Sequence, residues 1–278
     1  MIPGTSLRAG DDVQGSEMGR NRTEDLPDLS ALLAPQNELM VAVEQSVLRN
    51  RGSAVVAASL AEQIAAKLAG VITLGVVDTG QRLLEQDISA VLQVSRAPVR
   101  EALRILERDR LVHFQSRRGA VVTPLRASDV RDLFDVRSTL YEMLLRHEMT
   151  EQYADLKAVF DSNMPRVLRS AGESPDAYAV ATFVLNSAVA QVSSNRILAE
   201  LLQSVSLQAL RYVRVGLAAN ATEVPRYAER WRGLHGAILA HDTERAVDFA
   251  GQRISSIRDA ALRALGESPE EDVEAHAV

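Results

Sequence analysis

Apolar residues recur three and four positions apart along most of this chain, which is the spacing of an amphipathic helix. The stretch SLAEQIAAKLAGVITLG shows the pattern first. Its apolar face consists of four residues at four-residue spacing: Leu60, Ile64, Leu68 and Ile72. Ser59 and Glu62 form a capping box in front of it, and Gly75 is a typical helix terminator. We therefore predict a helix across this stretch.

Two more helices and a hairpin are predicted to follow. Arg82-Leu83-Leu84 is a candidate short strand, and LLEQDISAVLQ has the pattern of a short helix. Ser95 is placed to cap the next helix, and Pro98 lies in its first turn, where a missing N–H is tolerated. The buried side of that helix is predicted to consist of Ala102, Leu103, Leu106 and Leu111. LVHFQSRRGAVVTPL then alternates around Arg117-Arg118-Gly119, which predicts a β-hairpin with a basic tip. This order of elements is typical of a winged helix-turn-helix.

The second half of the chain shows helical spacing throughout and no strand pattern. SDVRDLFDVRSTLYEMLLRH is predicted to be a helix capped by Ser128. Further helices are predicted around Asp155–Ala171, Pro175–Val192, Asn195–Ala218, Val224–His241 and Thr243–Leu265. The fold class is therefore mostly α: an N-terminal winged helix-turn-helix of three helices plus a β-hairpin wing, and a C-terminal all-α bundle of about six helices.

The ends of the chain differ in composition from these two units. Residues 1 to about 35 are polar and rich in Gly and Pro, which predicts a disordered arm, and NELMVAVEQSVLR predicts a short helix after it. The predicted organisation is an arm with that helix (1–52), the winged helix-turn-helix (53–125), an all-α ligand-binding and dimerisation domain (126–266) and an acidic tail (267–278).

Composition and charge narrow the classes of protein. The chain has no cysteine, which excludes a disulfide framework, a zinc finger and a thiol nucleophile. It shows no apolar run long enough to span a bilayer and no signal-peptide pattern, so we expect a cytoplasmic protein without a membrane partner. The segment 59–123 carries nine basic and seven acidic residues, whereas the whole chain has a net charge of −6. A mildly basic segment in an otherwise acidic chain is consistent with a nucleic-acid-binding domain.

The start of the helix after Ser95 carries arginines where the helix dipole favours anions. Arg96 and Arg100 lie one turn apart on that helix. In a helix-turn-helix, this part of the second helix meets base edges in the major groove, and arginine reads guanine through two hydrogen bonds. The Ser95 hydroxyl and backbone N–H are candidates for a phosphate contact, and Arg117 and Arg118 for an adjacent groove or backbone. The alternative is a solvated helix face with Arg–Glu pairs, which is our interpretation of two further arginines, Arg104 and Arg108.

These motifs resemble a known family. VSRAPVREAL, followed by Leu106, Glu107, Leu111-Val112 and Arg118-Gly119, resembles the DNA-binding domain of the GntR family of bacterial regulators. DVRSTLYEML, SSNRILAELL and AILAHDTERAVDFA resemble the FCD-type ligand-binding domain of its FadR subfamily. The resemblance implies a homodimeric repressor or activator that binds a two-fold operator in double-stranded DNA and responds to a small metabolite. The implied DNA-contact residues are Ser95, Arg96, Ala97, Arg100, Gln86, Arg117, Arg118 and Gly119, with Gln86 at a place where the family often has arginine.

The resemblance also concerns a metal. Many FCD domains hold a divalent metal through one Asp and three His, and the corresponding positions here carry four other residues: Thr182, Asn186, Trp231 and Arg253. A gapped alignment restores only His235, which is a candidate effector residue, although a satisfied histidine on a buried helix face is the preferred interpretation. We therefore expect a site without metal or cofactor. In it, Arg253 would grip a carboxylate effector, with hydrogen bonds from Asn186 and Thr182 and an apolar wall from Trp231. The alternative is that Arg253 points outward to an acidic neighbour.

Two other function classes are weighed against a ligand-responsive regulator. An enzyme is disfavoured because the chain has no nucleophile elbow, no glycine-rich phosphate loop, no H-E-x-x-H motif and no cysteine. A protein–protein interaction module with a winged-helix fold that has lost DNA binding is the remaining alternative, and the intact VSRAPVRE stretch argues against it.

Overall fold

The computed structural model describes residues 29–32, 37–50 and 58–268. The α-helices in this part are α1 (Glu38–Asn50), α2 (Leu60–Thr73), α3 (Glu85–Leu92), α4 (Arg96–Arg108), α5 (Ala127–Glu151), α6 (Tyr153–Ser170), α7 (Pro175–Val192), α8 (Arg196–Ala219), α9 (Val224–Leu239) and α10 (Thr243–Ala264). The strands are β1 (Arg82–Leu83), β2 (Val112–Gln115) and β3 (Gly119–Val122), and short 3-10 turns lie at Leu29–Leu32 and Ala221–Glu223. The predicted mostly-α fold is confirmed. The predicted disordered arm covers residues 1 to about 35, and it is wrong at Leu29–Leu32, which form a 3-10 turn with Leu29 and Leu32 buried. The rest of that arm and most of the acidic tail lie outside the described residues.

Helix α2 begins and ends as its sequence predicts. The Glu62 backbone N–H donates to Ser59 Oγ at 3.2 Å, and the Ser59 N–H donates to Glu62 Oε2 at 2.7 Å, which completes the capping box. Gly75 has a φ of 70°, and the N–H of Val76 bonds back to the Val71 carbonyl, so the helix closes with a Schellman motif. The predicted apolar face is buried except at Leu60, which is 48% exposed because it is the first helical residue.

The predicted hairpin is present and is part of a three-stranded sheet. Strands β2 and β3 are antiparallel, with Val112 opposite Val122, and β1 pairs with the other edge of β3 through Arg82 and Val121. The sheet closes one side of the three-helix unit α2–α4, with Leu83 and Val122 fully buried. The predicted short strand at Arg82–Leu83 therefore ties α3 to the wing.

Six α-helices, α5 to α10, form the C-terminal bundle, as predicted. Helix α10 packs against α5, α8 and α9. It approaches α8 so closely that a Cβ atom on Gly216 would lie 2.8 Å from the Ala261 backbone nitrogen. The predicted cap of α5 by Ser128 is wrong: the helix begins at Ala127 with Arg126 as its N-cap, so Ser128 is already inside the first turn.

The N-terminal unit packs against the bundle through α1 and α2. The predicted short helix α1 packs against both α2 and α7 and buries Val43 and Val47. Arg214 on α8 donates from Nη1 to the Thr73 carbonyl at 2.7 Å, and from Nε and Nη2 to the Asp176 carboxylate at 2.8 and 3.0 Å. Arg214 thereby connects the C-terminal end of α2 to both α7 and α8.

None of the helices within the described ranges is both long enough and apolar enough to cross a membrane.

The close approach of the α10 backbone to Gly216 leads to a prediction about the stability of the fold. We expect Gly216→Ala to lower the free energy of unfolding by about 1–3 kcal/mol, because the methyl group would overlap the α10 backbone. Gly236→Ala on α9 is the matched control, since a Cβ there meets no atom within 4 Å and alanine favours the helix by about 0.5–1 kcal/mol. Urea denaturation of both variants measures the difference, and equal stability would contradict the close packing.

Candidate DNA-contact surface and effector cavity

Helix α4 presents its first turns to solvent. Gln93, with a φ of 53°, makes the tight turn from α3, and Ser95 occupies the N-cap. The predicted N-cap position of Ser95 is confirmed, but its side chain makes no capping hydrogen bond among the described residues. The buried face of α4 consists of Val99, Ala102, Leu103, Ile105 and Leu106. The predicted DNA-contact residues Arg96, Ala97 and Arg100 lie on the opposite, exposed face.

Both exposed arginines contact the preceding helix. Arg96 Nη2 donates to Gln86 Oε1 at 3.3 Å, and Arg100 donates from Nε and Nη2 to the two Glu85 carboxylate oxygens at 2.9 and 2.8 Å. The hydrogen bond from Arg100 holds the pKa of Glu85 below its usual value. Sequence reasoning looked for carboxylate partners on α4 itself and missed Glu85, because the pair joins two helices across a turn.

Arg104 behaves differently on the same helix. Its Nη1 donates to Glu107 at 2.8 Å, and its guanidinium lies over the Phe114 ring at 4.2 Å. The prediction that Arg104 belongs to the surface ion pairs of α4 is confirmed, and its contact with Phe114 on the wing is an addition to it.

The wing places its basic tip beside α3. Arg117 and Gly119 take left-handed backbone conformations, with φ of 64° and 76°, and the Arg118 carbonyl accepts a hydrogen bond from Arg82 Nε at 3.1 Å. A groove of about 290 Å³ between α3 and the wing is lined in part by Gln86, Arg117, Arg118 and Gly119. The structure thus brings four predicted contact residues to one groove.

A second site lies inside the helical bundle. Its cavity measures about 20 Å³, which is room for one water molecule. The lining consists of Arg137, Tyr178, Thr182, Val213, Tyr227, Trp231, Arg253, Ile254 and Ile257. Three of the predicted effector residues, Thr182, Trp231 and Arg253, therefore meet at one cavity.

Arg253 is buried without a carboxylate. Its side chain lies between two aromatic rings, 4.0 Å from Trp231 and 4.9 Å from Tyr141, and the residue is only 4% exposed. Its Nε and Nη2 have no hydrogen-bond partner among the described residues. Burial lowers the pKa of Arg253 from its ordinary value. The alternative in which Arg253 points outward to an acidic neighbour is wrong.

Arg137 is a second buried cation, which sequence reasoning missed. It is 5% exposed, and its Nε also lacks a partner among the described side chains and backbone. Burial, and then the positive charge of Arg253, lower the pKa of Arg137 to about 9. A signal was present in the sequence, because Arg137 stands at helical spacing within the apolar face formed with Phe134 and Tyr141.

Two predicted effector residues do not line the cavity. Asn186 is buried one turn beyond Thr182 and donates from Nδ2 to the Thr182 carbonyl at 2.8 Å. His235 bonds to Asp161 on α6 at 2.8 Å, and hydrogen bonds from Lys157 and then from His235 lower the pKa of that carboxyl. His235 is therefore a satisfied histidine between α9 and α6, which agrees with the preferred interpretation of this residue, and it does not line the cavity.

The cavity does not fit a divalent metal. The residues at and next to it offer a hydroxyl, an amide, aromatic rings and two guanidinium groups. The positively charged guanidinium groups repel a metal cation, and the other groups are poor ligands for it. In the part of the chain that the structure describes, no three His, Cys, Asp or Glu side chains are grouped to hold a metal ion.

Comparison with family models and curated proteins agrees with this division. A family model described as bacterial regulatory proteins, gntR family, matches residues 60–122, and an FCD domain model matches residues 132–256. The gluconate operon transcriptional repressor of Bacillus licheniformis is 32% identical over 108 residues, which span 37% of this chain and 44% of that protein. The HTH-type transcriptional regulator BphR of Paraburkholderia xenovorans is 28% identical over 71% of this chain and 83% of its own length. The chain thus spans less than half the length of the gluconate repressor it matches.

Solved structures share the architecture. A Rhodococcus sp. RHA1 protein assigned as a transcriptional regulator GntR has a TM-score of 0.57 and 28% identity, over 75% of this chain and 99% of the other. Escherichia coli McbR/YncC has a TM-score of 0.59 at 19% identity, over 71% of this chain and 94% of the other, and shows the same fold.

Proposed function

The chain belongs to the GntR family of bacterial regulatory proteins and carries an FCD domain, and from this premise we propose that it is a ligand-responsive transcriptional repressor. It binds a two-fold operator in double-stranded DNA as a homodimer and responds to a small carboxylate. The observation that carries the proposal is the combination of exposed arginines at the start of α4 with two arginines buried in the bundle that have no carboxylate partner among the described residues. Repression, as opposed to activation, is supported by the name of one relative, the gluconate operon transcriptional repressor.

The exposed arginines supply the DNA contacts. Arg96 and Arg100 stand on the part of a recognition helix that meets base edges, and Arg117 and Arg118 stand on a wing that reaches a neighbouring backbone or groove. The Ser95 hydroxyl makes no cap and is free for a phosphate. Phosphate neutralisation makes the affinity fall steeply with salt.

The surface shared by α5 and α8 supports the homodimer. The two helices run antiparallel, since Arg126 meets Tyr212 near one end and Glu148 meets Ser193 near the other. Four of the seven large exposed apolar side chains in the described residues lie on these helices: Val136, Met143, Ile197 and Leu201. An apolar strip of this kind fits a second copy of the chain.

The buried arginines support an acidic effector that binds without metal. Nε and Nη2 of Arg253 lie on one edge of the guanidinium, from which two parallel hydrogen bonds can be donated to a carboxylate. Neither atom has a hydrogen-bond partner among the described residues. A carboxylate would also offset the charge that burial disfavours on Arg253 and Arg137. Thr182 and Trp231 complete the walls.

Binding at this cavity has a route to the DNA-binding unit. The cavity holds about one water molecule, so an organic acid enters only by moving its walls. One wall residue, Val213 on α8, is followed directly by Arg214, which binds the carbonyl at the end of α2. Helix α2 packs against α4. Displacement of α8 would therefore move α2, and with it the position of α4, the helix proposed to contact DNA.

The proposed DNA contacts predict that removing either arginine at the start of α4 lowers the affinity for DNA. We expect Arg96→Ala and Arg100→Ala each to weaken binding to a duplex selected by the wild-type protein from a random library, by about 1–3 kcal/mol. Arg166→Ala on α6 removes the same charge from an exposed site in the bundle and should leave affinity unchanged. Fluorescence anisotropy measures all three. Full affinity in both reading-helix variants would contradict the assignment.

The effector site predicts a change in ligand response. A thermal-shift screen of small organic acids, with and without added divalent metal, should find acids that stabilise the wild type without metal; at 100 times Kd the gain is about 2.7 kcal/mol. Arg253→Met should abolish that shift without lowering the unliganded Tm, because it removes an unpaired buried charge. Arg258→Met, a change at a partly exposed arginine on the same helix, is the control. Stoichiometric metal in the purified protein, or a full shift in Arg253→Met, would refute the site.

The apolar strip predicts the oligomeric state. We expect Leu201→Glu to convert the dimer to a monomer in sedimentation experiments and to weaken operator binding roughly tenfold or more, since each unit then reads one half-site. Leu239→Glu changes a similarly exposed leucine on α9 and should leave the dimer intact. A dimer that survives Leu201→Glu would place the interface elsewhere.

A further inference from the structure

The contact between Glu85 and Arg100 uses one particular edge of the guanidinium. Glu85 is the first residue of α3, and its two oxygens accept from Nε at 2.9 Å and from Nη2 at 2.8 Å. Nη1 and the second proton of Nη2 remain, and they form the outer end of the guanidinium. Two parallel donors of this kind are what the O6 and N7 atoms of guanine accept in the major groove.

The pair is exposed, so it contributes little to the stability of the fold. The Arg100 side chain is 63% exposed, and solvent screens an ion pair at such a site. The carboxylate also works against DNA affinity, because it brings a negative charge toward the phosphates. Its effect on Arg100 is geometric: two hydrogen bonds fix the direction of a long side chain that otherwise samples many rotamers.

Arg104 on the same helix gives the contrast. Its bond to Glu107 uses Nη1, and its guanidinium rests on the Phe114 ring of the wing. The outer end that would face a base is thereby engaged. Of these two paired arginines, Arg100 alone keeps that end free.

We propose that Glu85 is a positioning residue for base selection: it holds Arg100 with its outer edge directed at a guanine in each half-site. This proposal rests on the proposed function, since it requires that α4 read DNA. Glu85 itself touches no base. It determines which base pair is preferred at one position, and it lowers the affinity for unrelated sequence.

The test compares base preference among variants. Wild type, Glu85→Gln, Glu85→Ala and Glu107→Gln are each used to select duplexes from a random library. We expect the wild type and Glu107→Gln to enrich the same motif, with a guanine at the position where Arg100→Ala loses its preference. Both Glu85 variants should keep the rest of the motif and lose about tenfold in discrimination at that base pair, measured by anisotropy. Their affinity for an unrelated duplex should be equal to that of the wild type or higher.

The outcomes separate the two proposals. If the wild type enriches no motif, the proposed function fails. If it enriches a motif and both Glu85 variants keep the full guanine preference, positioning by Glu85 is overturned while DNA reading stands. Loss of affinity for selected and unrelated duplexes alike would show a structural role for Glu85 and would also overturn the proposal. Adding Arg100→Ala to Glu85→Gln should cause no further loss of preference than Arg100→Ala alone, and an additive loss would count against it.

Discussion

Arg137 and Arg253 bring two guanidinium groups into the interior of the helical domain, and among the described residues neither donates a hydrogen bond to a carboxylate. Burying charge without a counter-charge is unfavourable, and the depressed pKa of Arg137 expresses that penalty. Aromatic rings from Trp231 and Tyr141 offset part of it through cation–π contact. An anion bound beside these groups would relieve this penalty, which is the physical reason for proposing that the bundle binds an acidic effector.

The two functional regions use arginine in opposite environments. On α4 the guanidinium groups stand in solvent, where their charge is screened until a polyanion approaches. Inside the bundle Arg137 and Arg253 are only 5% and 4% exposed, so a neighbouring anion would have a large electrostatic effect. Arg214 represents a third use, because it is partly buried and satisfied by Asp176 and a backbone carbonyl. Under the proposed function, the same type of side chain serves for DNA recognition, for effector binding and for joining the two units.

Much of the architecture could be predicted from the sequence, because it follows from local rules. The capping box of α2, the Gly75 terminator, the hairpin and the six-helix bundle each depend on residues close together in the chain. Contacts between elements could not be predicted in this way. Glu85 pairs with Arg100 across a turn, and His235 faces Asp161 from a different helix, so no spacing rule connects them. Arg137 was visible as a charged residue in an apolar stripe, yet only the packing of α5 on α10 shows that it stands beside Arg253.

Helix α1 has a consequence for the order of events during biosynthesis. It leaves the ribosome before any other described helix, but one of the two surfaces it packs on, α7, is made only after the whole DNA-binding unit and two helices of the bundle. Such a contact between distant parts of the chain closes slowly. The contact between α1 and α7 therefore forms only after the whole DNA-binding unit has been synthesised, which makes it a late step of folding.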